Sequence, residues 1–340
     1  MYSIARPVLF RLEPERAHYW TLNGLKIAST LGYRQKAADC PQKVMGINFP
    51  NPVGLSAGLD KNGDYLSALS RLGFGFIEIG TITPKPQAGN PQPRMFRIPE
   101  QQAIINRLGF NNKGVDYLLG QVQKSQYQGI LGINIGKNKT TPNEKATDDY
   151  LYCLRKVYAY ADYITVNISS PNTAGLRDLQ EEHALRTLLT NILTEREILA
   201  KKQGQYKPIA LKIAPDLDSV AISVVSKTLN ETSPDAVIAT NTTISRIGVE
   251  SCPNGHESGG LSGAPLLMQS TKILSELRKQ LRADIAMIGV GGINQSQDAV
   301  KKIEAGADLV QVYSGLIYRG PVLIRQCVDA LKASMYASSA

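Results

Sequence analysis

Asparagine, lysine and serine recur at one kind of place in this chain, at or just after short apolar runs rich in β-branched residues. Asn134 stands in one such run. Asn167 stands in the next, which continues Ser169-Ser170-Pro171-Asn172, and Thr240-Asn241-Thr242 closes a later one. Gly58-Leu59-Asp60-Lys61 follows the first run, Thr81 lies in the second, and Lys212 sits inside PIALKIAP. A single Asn after a strand is ordinarily a turn residue tolerating left-handed backbone. Its amide also offers both a donor and an acceptor, so several at the same end of successive strands suit a planar ligand with amide or imide edges. Lys212 has two readings, a snorkelling edge residue or a buried cation that holds negative charge or forms a Schiff base. Gly289-Val290-Gly291-Gly292 and Ser314-Gly315 end the last two runs. Glycines let backbone N–H groups approach a phosphate, and a following helix N-terminus adds favourable potential. No G-x-G-x-x-G and no G-x-x-x-x-G-K-[ST] is present, which removes support for a Rossmann dinucleotide site or a P-loop.

These residues need elements to hold them. The apolar runs are Val53 to Ala57, Phe76 to Ile82, Ile130 to Ile135, Tyr163 to Ile168, Pro208 to Ile213, Ala236 to Ala239, Ile285 to Val290 and Leu309 to Tyr313. They are short and almost continuously hydrophobic, the pattern of strands buried on both faces. Between them, helical periodicity covers 64–72, 113–123, 149–160, 181–201, 219–229, 266–281 and 296–305. Eight strands alternating with helices is the count of an α/β (β/α)8 TIM barrel, whose active site lies at the carboxyl ends of the strands. A doubly wound sheet uses the same alternation, but the strand count and the polar residues at one end favour the barrel.

Residues 1–40 stand outside the alternation and are expected to form a small N-terminal helical hairpin, with the barrel occupying 41–340. Glu13-Pro14-Glu15 reads as a helix start. Beyond it Trp20, Leu22, Leu25, Ile27 and Leu31 occur among few charges. Such a hairpin can pack on the barrel, lie on a membrane surface, or do both.

Composition bounds the rest. The 340 residues are 43% hydrophobic and 20% charged, a globular balance. The net charge of +9 calls for an anionic partner. The lysines and arginines are scattered, without a basic run interleaved with aromatics, so nucleic acid is not expected. Cys40, Cys153, Cys252 and Cys327 are far apart and form no metal-ligand or disulfide framework. No metal is expected, nor a membrane-spanning stretch or signal peptide.

The ordered motifs AGLDKNG, IEIGTITPKPQAGNPQPRMFR, NRLGFNNKG, GINIGKNK, NISSPNTAGLR, LKIAPD, IATNTT, GGLSGAPL, IGVGGI and QVYSG resemble the dihydroorotate dehydrogenases over essentially the whole chain. EPERAH, together with the serine in SSPNT, resembles class 2, the membrane-associated, quinone-dependent branch. The resemblance implies an FMN-dependent oxidation of dihydroorotate to orotate in pyrimidine (UMP) biosynthesis, with a quinone as acceptor and no obligate protein partner. The implied location is peripheral, on the cytoplasmic side of the inner membrane if the source is bacterial.

Carried over by position, FMN would contact Ala57, Gly58, Leu59, Asp60, Lys61, Thr81, Asn134, Asn167, Lys212, Thr240, Gly263, Gly292, Tyr313 and Ser314. Dihydroorotate would be held by Lys61, Asn106, Arg107, Leu108, Gly109, Phe110, Asn167, Asn172, Asn241 and Thr242. Ser170 matches the base that takes the C5 proton while C6 delivers hydride to the flavin. His18, Arg97 and Tyr313 match residues near the quinone headgroup. The loop 169–180 would act as a lid. Glu13, where relatives commonly have Asp, is a departure that changes none of these roles. The competing enzymatic reading is an aldolase-type barrel using Lys212 as a Schiff base, which would bind no flavin.

Overall fold

The computed structural model describes residues 2–36 and 39–339, so Met1, Ala37, Ala38 and Ala340 fall outside it. Its centre is a closed barrel of eight parallel strands, with each strand beside its neighbour in sequence. We number them β1 (Val53–Leu55), β2 (Phe76–Ile82), β3 (Ile130–Ile135), β4 (Tyr163–Asn167), β5 (Ile209–Ile213), β6 (Ala236–Ala239), β7 (Ala286–Val290) and β8 (Leu309–Val312). β8 pairs back with β1 through Val310, Gln311 and Val312. Nearly every strand residue is buried, because helices cover the outer face while side chains fill the interior. The doubly wound alternative is excluded by this closure.

The amino ends of the strands are sealed. An antiparallel hairpin, Gln42–Val44 with Ile47–Phe49, lies across them, and Phe49 packs edge-on against Phe76 with ring centroids 5.1 Å apart. Phe76 in turn meets Tyr163 at 6.2 Å. Gly54 makes room for this plug, since a Cβ there would stand 2.2 Å from the Phe76 ring. At the opposite end a three-stranded antiparallel sheet of Met95–Ile98, Ala103–Asn106 and Gly260–Gly263 is added.

Helices α1 (Tyr2–Leu9) and α2 (Pro14–Thr30) precede the barrel. Glu13 caps α2, its carboxylate accepting from the N–H groups of Glu15 at 2.9 Å and Arg16 at 2.8 Å, with Pro14 at the first helical position as expected. Glu15 forms a buried ion pair with Arg94 at 2.6 Å, which docks α2 on the barrel. The outer helices are α3 (Val115–Ser125), α4 (Ala146–Val157), α5 (Glu182–Gln203), α6 (Ser219–Thr232), α7 (Leu266–Gln280), α8 (Ser296–Glu304) and α9 (Val322–Ser339). The expected helix over 64–72 is shorter, a single turn at Leu66–Leu69 followed by a 3-10 turn. α9, which follows β8, was not anticipated from periodicity.

Candidate active site

The carboxyl ends of the strands open into a cleft of about 960 Å³, mouth included. A hydrogen-bonded ladder climbs to it from inside the barrel. Glu78 on β2 is fully buried and accepts from Asn134 Nδ2 at 2.8 Å, Tyr163 OH at 2.9 Å, Thr165 Oγ1 at 3.2 Å and Gln311 Nε2 at 2.8 Å. Four donors compensate a carboxylate that would otherwise be costly to bury. Above it Thr81 Oγ1 donates to Asn134 Oδ1 at 2.6 Å and accepts from Asn167 Nδ2 at 2.9 Å. Asn167 Oδ1 then accepts from Ser169 Oγ at 3.1 Å and Asn241 Nδ2 at 3.3 Å. The ladder fixes which face each amide presents. A register shift between Gly80 and Ile82 falls at Thr81, where such irregularities re-aim side chains.

Two lysines border the cleft. Lys212 Nζ donates to Ser56 Oγ at 3.1 Å; burial lowers its pKa, and the charge of Glu78 opposes that shift. Lys61 Nζ donates to the Gly58 carbonyl at 3.1 Å. Burial lowers it to about 8, with Glu15 pulling upward and Arg94 downward. Ser170 is 6% exposed, and its Oγ accepts from the Asn172 N–H at 3.3 Å. Its loop is tied down by Arg177, which donates to the Ser169 carbonyl at 3.1 Å, Asp216 at 2.8 Å and the Thr242 carbonyl at 3.0 Å. Asn172 Nδ2 also donates to Asn106 Oδ1 across the mouth at 3.2 Å.

The cleft brings together Ala57, Gly58, Lys61, Thr81, Asn167, Ser170, Lys212, Thr240, Gly263, Gly292, Tyr313 and Ser314. Asn106, Leu108, Gly109, Phe110, Asn172, Asn241 and Thr242 join them around its mouth. Four of the expected residues lie off its wall. Asn134 works one layer below, through Thr81. Asp60 is buried and accepts from the N–H groups of Asn62, Asp64 and Tyr65, which makes it a turn-former. Burial raises its pKa to about 6 against those backbone bonds. Leu59 faces a different cavity. Arg107 turns away to Glu257 at 2.6 Å and lies 4.5 Å over the Phe96 ring. Wall residues that the sequence reading passed over include Ser56, Gln311 and Ser262, whose Oγ lies 2.8 Å from that of Ser314. GGLSGAPL carried a signal for Ser262, the residue before its second glycine turn; Gln311 reads simply as a polar interruption in LVQVY.

The second cavity, of about 1560 Å³, lies between α1, α2 and the barrel. Its wall is mostly apolar, including Leu9, Phe10, Leu22, Leu25 and Leu59, and it contains His18, Arg97 and Tyr313. The N-terminal helices are therefore splayed around a space. Arg97 holds α1 by donating to the Leu9 carbonyl at 3.1 Å and to the Leu12 carbonyl, with its guanidinium 4.7 Å over the Phe10 ring. Burial lowers His18 to about 4, with Lys61 adding to the shift and Glu15 opposing it, so the imidazole is neutral at pH 7. Tyr313 borders both cavities; its ring would be 3.2 Å from a Cβ at Gly58, and burial raises its hydroxyl to about 12.

Comparison with known proteins bears on this arrangement. The family model described as dihydroorotate dehydrogenase matches residues 40–335. The chain belongs to the dihydroorotate dehydrogenase family. It is 59% identical over 328 residues to the dihydroorotate dehydrogenase (quinone) of Methylobacillus flagellatus, covering 95% of this chain and 97% of that protein. The protein of the same name from Thiobacillus denitrificans is 58% identical, over 97% of this chain and 99% of its own. Among solved structures, the Eimeria tenella DHODH in complex with ferulenol superposes with a TM-score of 0.88 at 38% identity, covering 98% of this chain and 96% of that one. Family membership and the closed barrel thus agree with the reading from motifs.

Proposed function

We propose that this protein is an oxidoreductase of the CH–CH class that oxidises dihydroorotate to orotate, using FMN and passing the electrons to a quinone, in pyrimidine (UMP) biosynthesis. The observation that carries the reading is the pair of cavities meeting at Tyr313, one polar and within the barrel mouth, the other apolar and between the N-terminal helices. Separate approaches to one shared centre suit two unlike substrates that exchange electrons, one polar and one apolar. The relatives named dihydroorotate dehydrogenase (quinone) support it.

The wall suits a polar ring ligand. Gln311 Oε1 and Thr242 Oγ1 border the cleft and have no hydrogen-bond partner among the described residues, the signature of polar groups meant for a ligand. Asn167, Thr81 and Lys212 would address the ring's polar edge, and Gly263, Gly292 and Ser314 its phosphate. When bound, FMN supplies the two-electron acceptor and carrier. Lys212 sets positive charge where negative charge develops. Lys61, Asn106, Asn172, Asn241 and Thr242 hold the acidic substrate and exclude water. Ser170 Oγ takes the C5 proton as its own hydroxyl proton passes to water at the mouth of the cleft, and the Asn172 N–H stabilises the negative charge that develops on the oxygen during that exchange. The apolar tunnel takes the quinone beside neutral His18 and Arg97.

We also assign the N-terminal helices to a membrane surface, on the cytoplasmic side if the source is bacterial. Among the described residues no helix is long and apolar enough to span, while Ile4 and Leu31 are 80% and 83% exposed at either end of the pair. Exposed apolar residues beside basic ones fit an interfacial element.

An anaerobic absorbance spectrum tests all three partners. Bleaching of a bound flavin by dihydroorotate and recovery on adding quinone is expected. A colourless protein trapped by borohydride on Lys212, or reduction of NAD in place of quinone, would overturn the assignment. Removing residues 1–36 should leave bleaching intact and abolish recovery with a long-chain quinone.

A further inference from the structure

Behind the Gly291-Gly292 turn lies a lysine that the scheme above does not use. Lys302, on α8, is completely buried, a rare condition for an ammonium group. Its Nζ donates to Ser270 Oγ on α7 at 2.6 Å. Ser270 is equally buried, and its hydroxyl is 3.1 Å from the Gly291 carbonyl, 2.8 Å from that of Leu266 and 3.2 Å from that of Leu267. One serine therefore links the lysine, the first turn of α7 and the glycine turn. The fit is close. A Cβ on Gly291, at φ +106, would stand 2.9 Å from Ser270 Oγ, and one on Gly292 would stand 2.3 Å from Leu267 Cα.

The lysine's charge is only partly answered. Asp298, one turn earlier on α8, is the acidic group that acts on it. That carboxylate is also held by the N–H groups of Asn294 at 3.1 Å and Gln295 at 3.2 Å, and lies 3.6 Å from Lys301 Nζ. Burial depresses Lys302 to about 7, with Asp298 opposing. An anion in the cleft beyond the turn would favour the charged lysine, because interactions through a dry interior are weakly screened.

We propose that Lys302, acting through Ser270, positions the Gly291-Gly292 turn and places behind it a positive charge that an anion bound at the turn stabilises, so that the turn selects a phosphorylated flavin over an unphosphorylated one. The inference rests on reading that turn as the FMN phosphate site. A lysine serving stability alone would affect both flavins alike.

The test is a competition on the full-length holoenzyme. FMN released by increasing riboflavin is separated and quantified, giving the ratio of the two affinities for wild type, K302M and S270A. K302M should lower the preference for FMN about tenfold, the effect of one partly shielded charge. S270A, a small change that keeps the lysine, should lower it in the same direction by about threefold. An unchanged ratio in either folded variant overturns the proposal, and S270A decides alone should K302M fail to fold. A wild-type protein that does not prefer FMN would instead overturn the phosphate-site reading itself.

Discussion

Replacing Arg177 with methionine should slow substrate oxidation far more than it unfolds the protein. The guanidinium joins three pieces of the mouth: the Ser169 carbonyl beside the proposed base, Asp216 after β5, and the Thr242 carbonyl at the substrate end of the cleft. Asp216 is not stranded by the change, since it still accepts from Thr243 Oγ1, the Ile244 N–H at 3.1 Å and Gln269 Nε2 at 3.2 Å. What disappears is two bonds to carbonyls and one ion pair whose side chains are 21% and 15% exposed. Allowing for water replacing part of them, the closed arrangement of the loop loses about 2–3 kcal/mol. If that loss falls on the geometry that reacts, the rate drops about 30- to 150-fold. Stopped-flow reduction of the bound flavin at saturating dihydroorotate, under anaerobic conditions, reads this step directly. R177K should be intermediate, because an ammonium reaches Asp216 but cannot span both carbonyls. A folded R177M protein reduced within about threefold of wild type would refute the positioning argument.

Three further outcomes follow from the same contacts. S170A should retain flavin yet be reduced by dihydroorotate about a hundredfold or more slowly, as loss of a positioned base implies; near-normal reduction would remove Ser170 from the chemistry. With Lys61 lowered to about 8, it is charged below that pH and neutral above it, so the KM for the anionic substrate should rise as pH passes 8, and K61M should flatten the profile. Removing the Glu15 carboxylate leaves Arg94 buried but still bonded to the Ala88 and Asn90 carbonyls at 2.6 and 2.9 Å. E15A should therefore cost about 3 kcal/mol in thermal or urea unfolding, the low end for a broken buried pair. Burial works to raise the Glu15 carboxyl, but Arg94 and Gln92 prevail and hold it below its ordinary value. Its contribution is thus present above the unfolded pKa and disappears as pH falls through the lowered one, so wild type and E15A should converge in acid.

The barrel was legible because each strand is buried on both faces and announces itself as an unbroken apolar run. The cleft was legible for a related reason: Asn167 and Lys212 interrupt such runs, and Asn241 follows one, where they meet the cleft. Glu78 was not, since within FIEIGTI it reads as one polar residue in a strand, and its partners Asn134, Tyr163, Thr165 and Gln311 come from three other strands. The three-stranded sheet pairs residues more than 150 positions apart, at Ala103–Asn106 and Gly260–Gly263, and no local pattern encodes such a pairing. Arg107 and Asp60 show the reverse relation, side chains that a motif does not aim. Both sit inside motif-bearing segments, yet Arg107 leaves the site for an ion pair and Asp60 spends its lone pairs on the turn.

The plug of Phe49, Phe76 and Tyr163 also governs traffic. With the far end of the barrel sealed, anything bound in the cleft must depart by the doorway through which it arrived, past the Ser169–Gln180 loop. Orotate and dihydroorotate therefore queue at a single door, and the product should obstruct its own substrate competitively. The quinone does not stand in that queue. On the assignment proposed above it has the passage between α1 and α2 to itself, so the two halves of the cycle can be throttled independently, one from the loop and the other from the N-terminal helices.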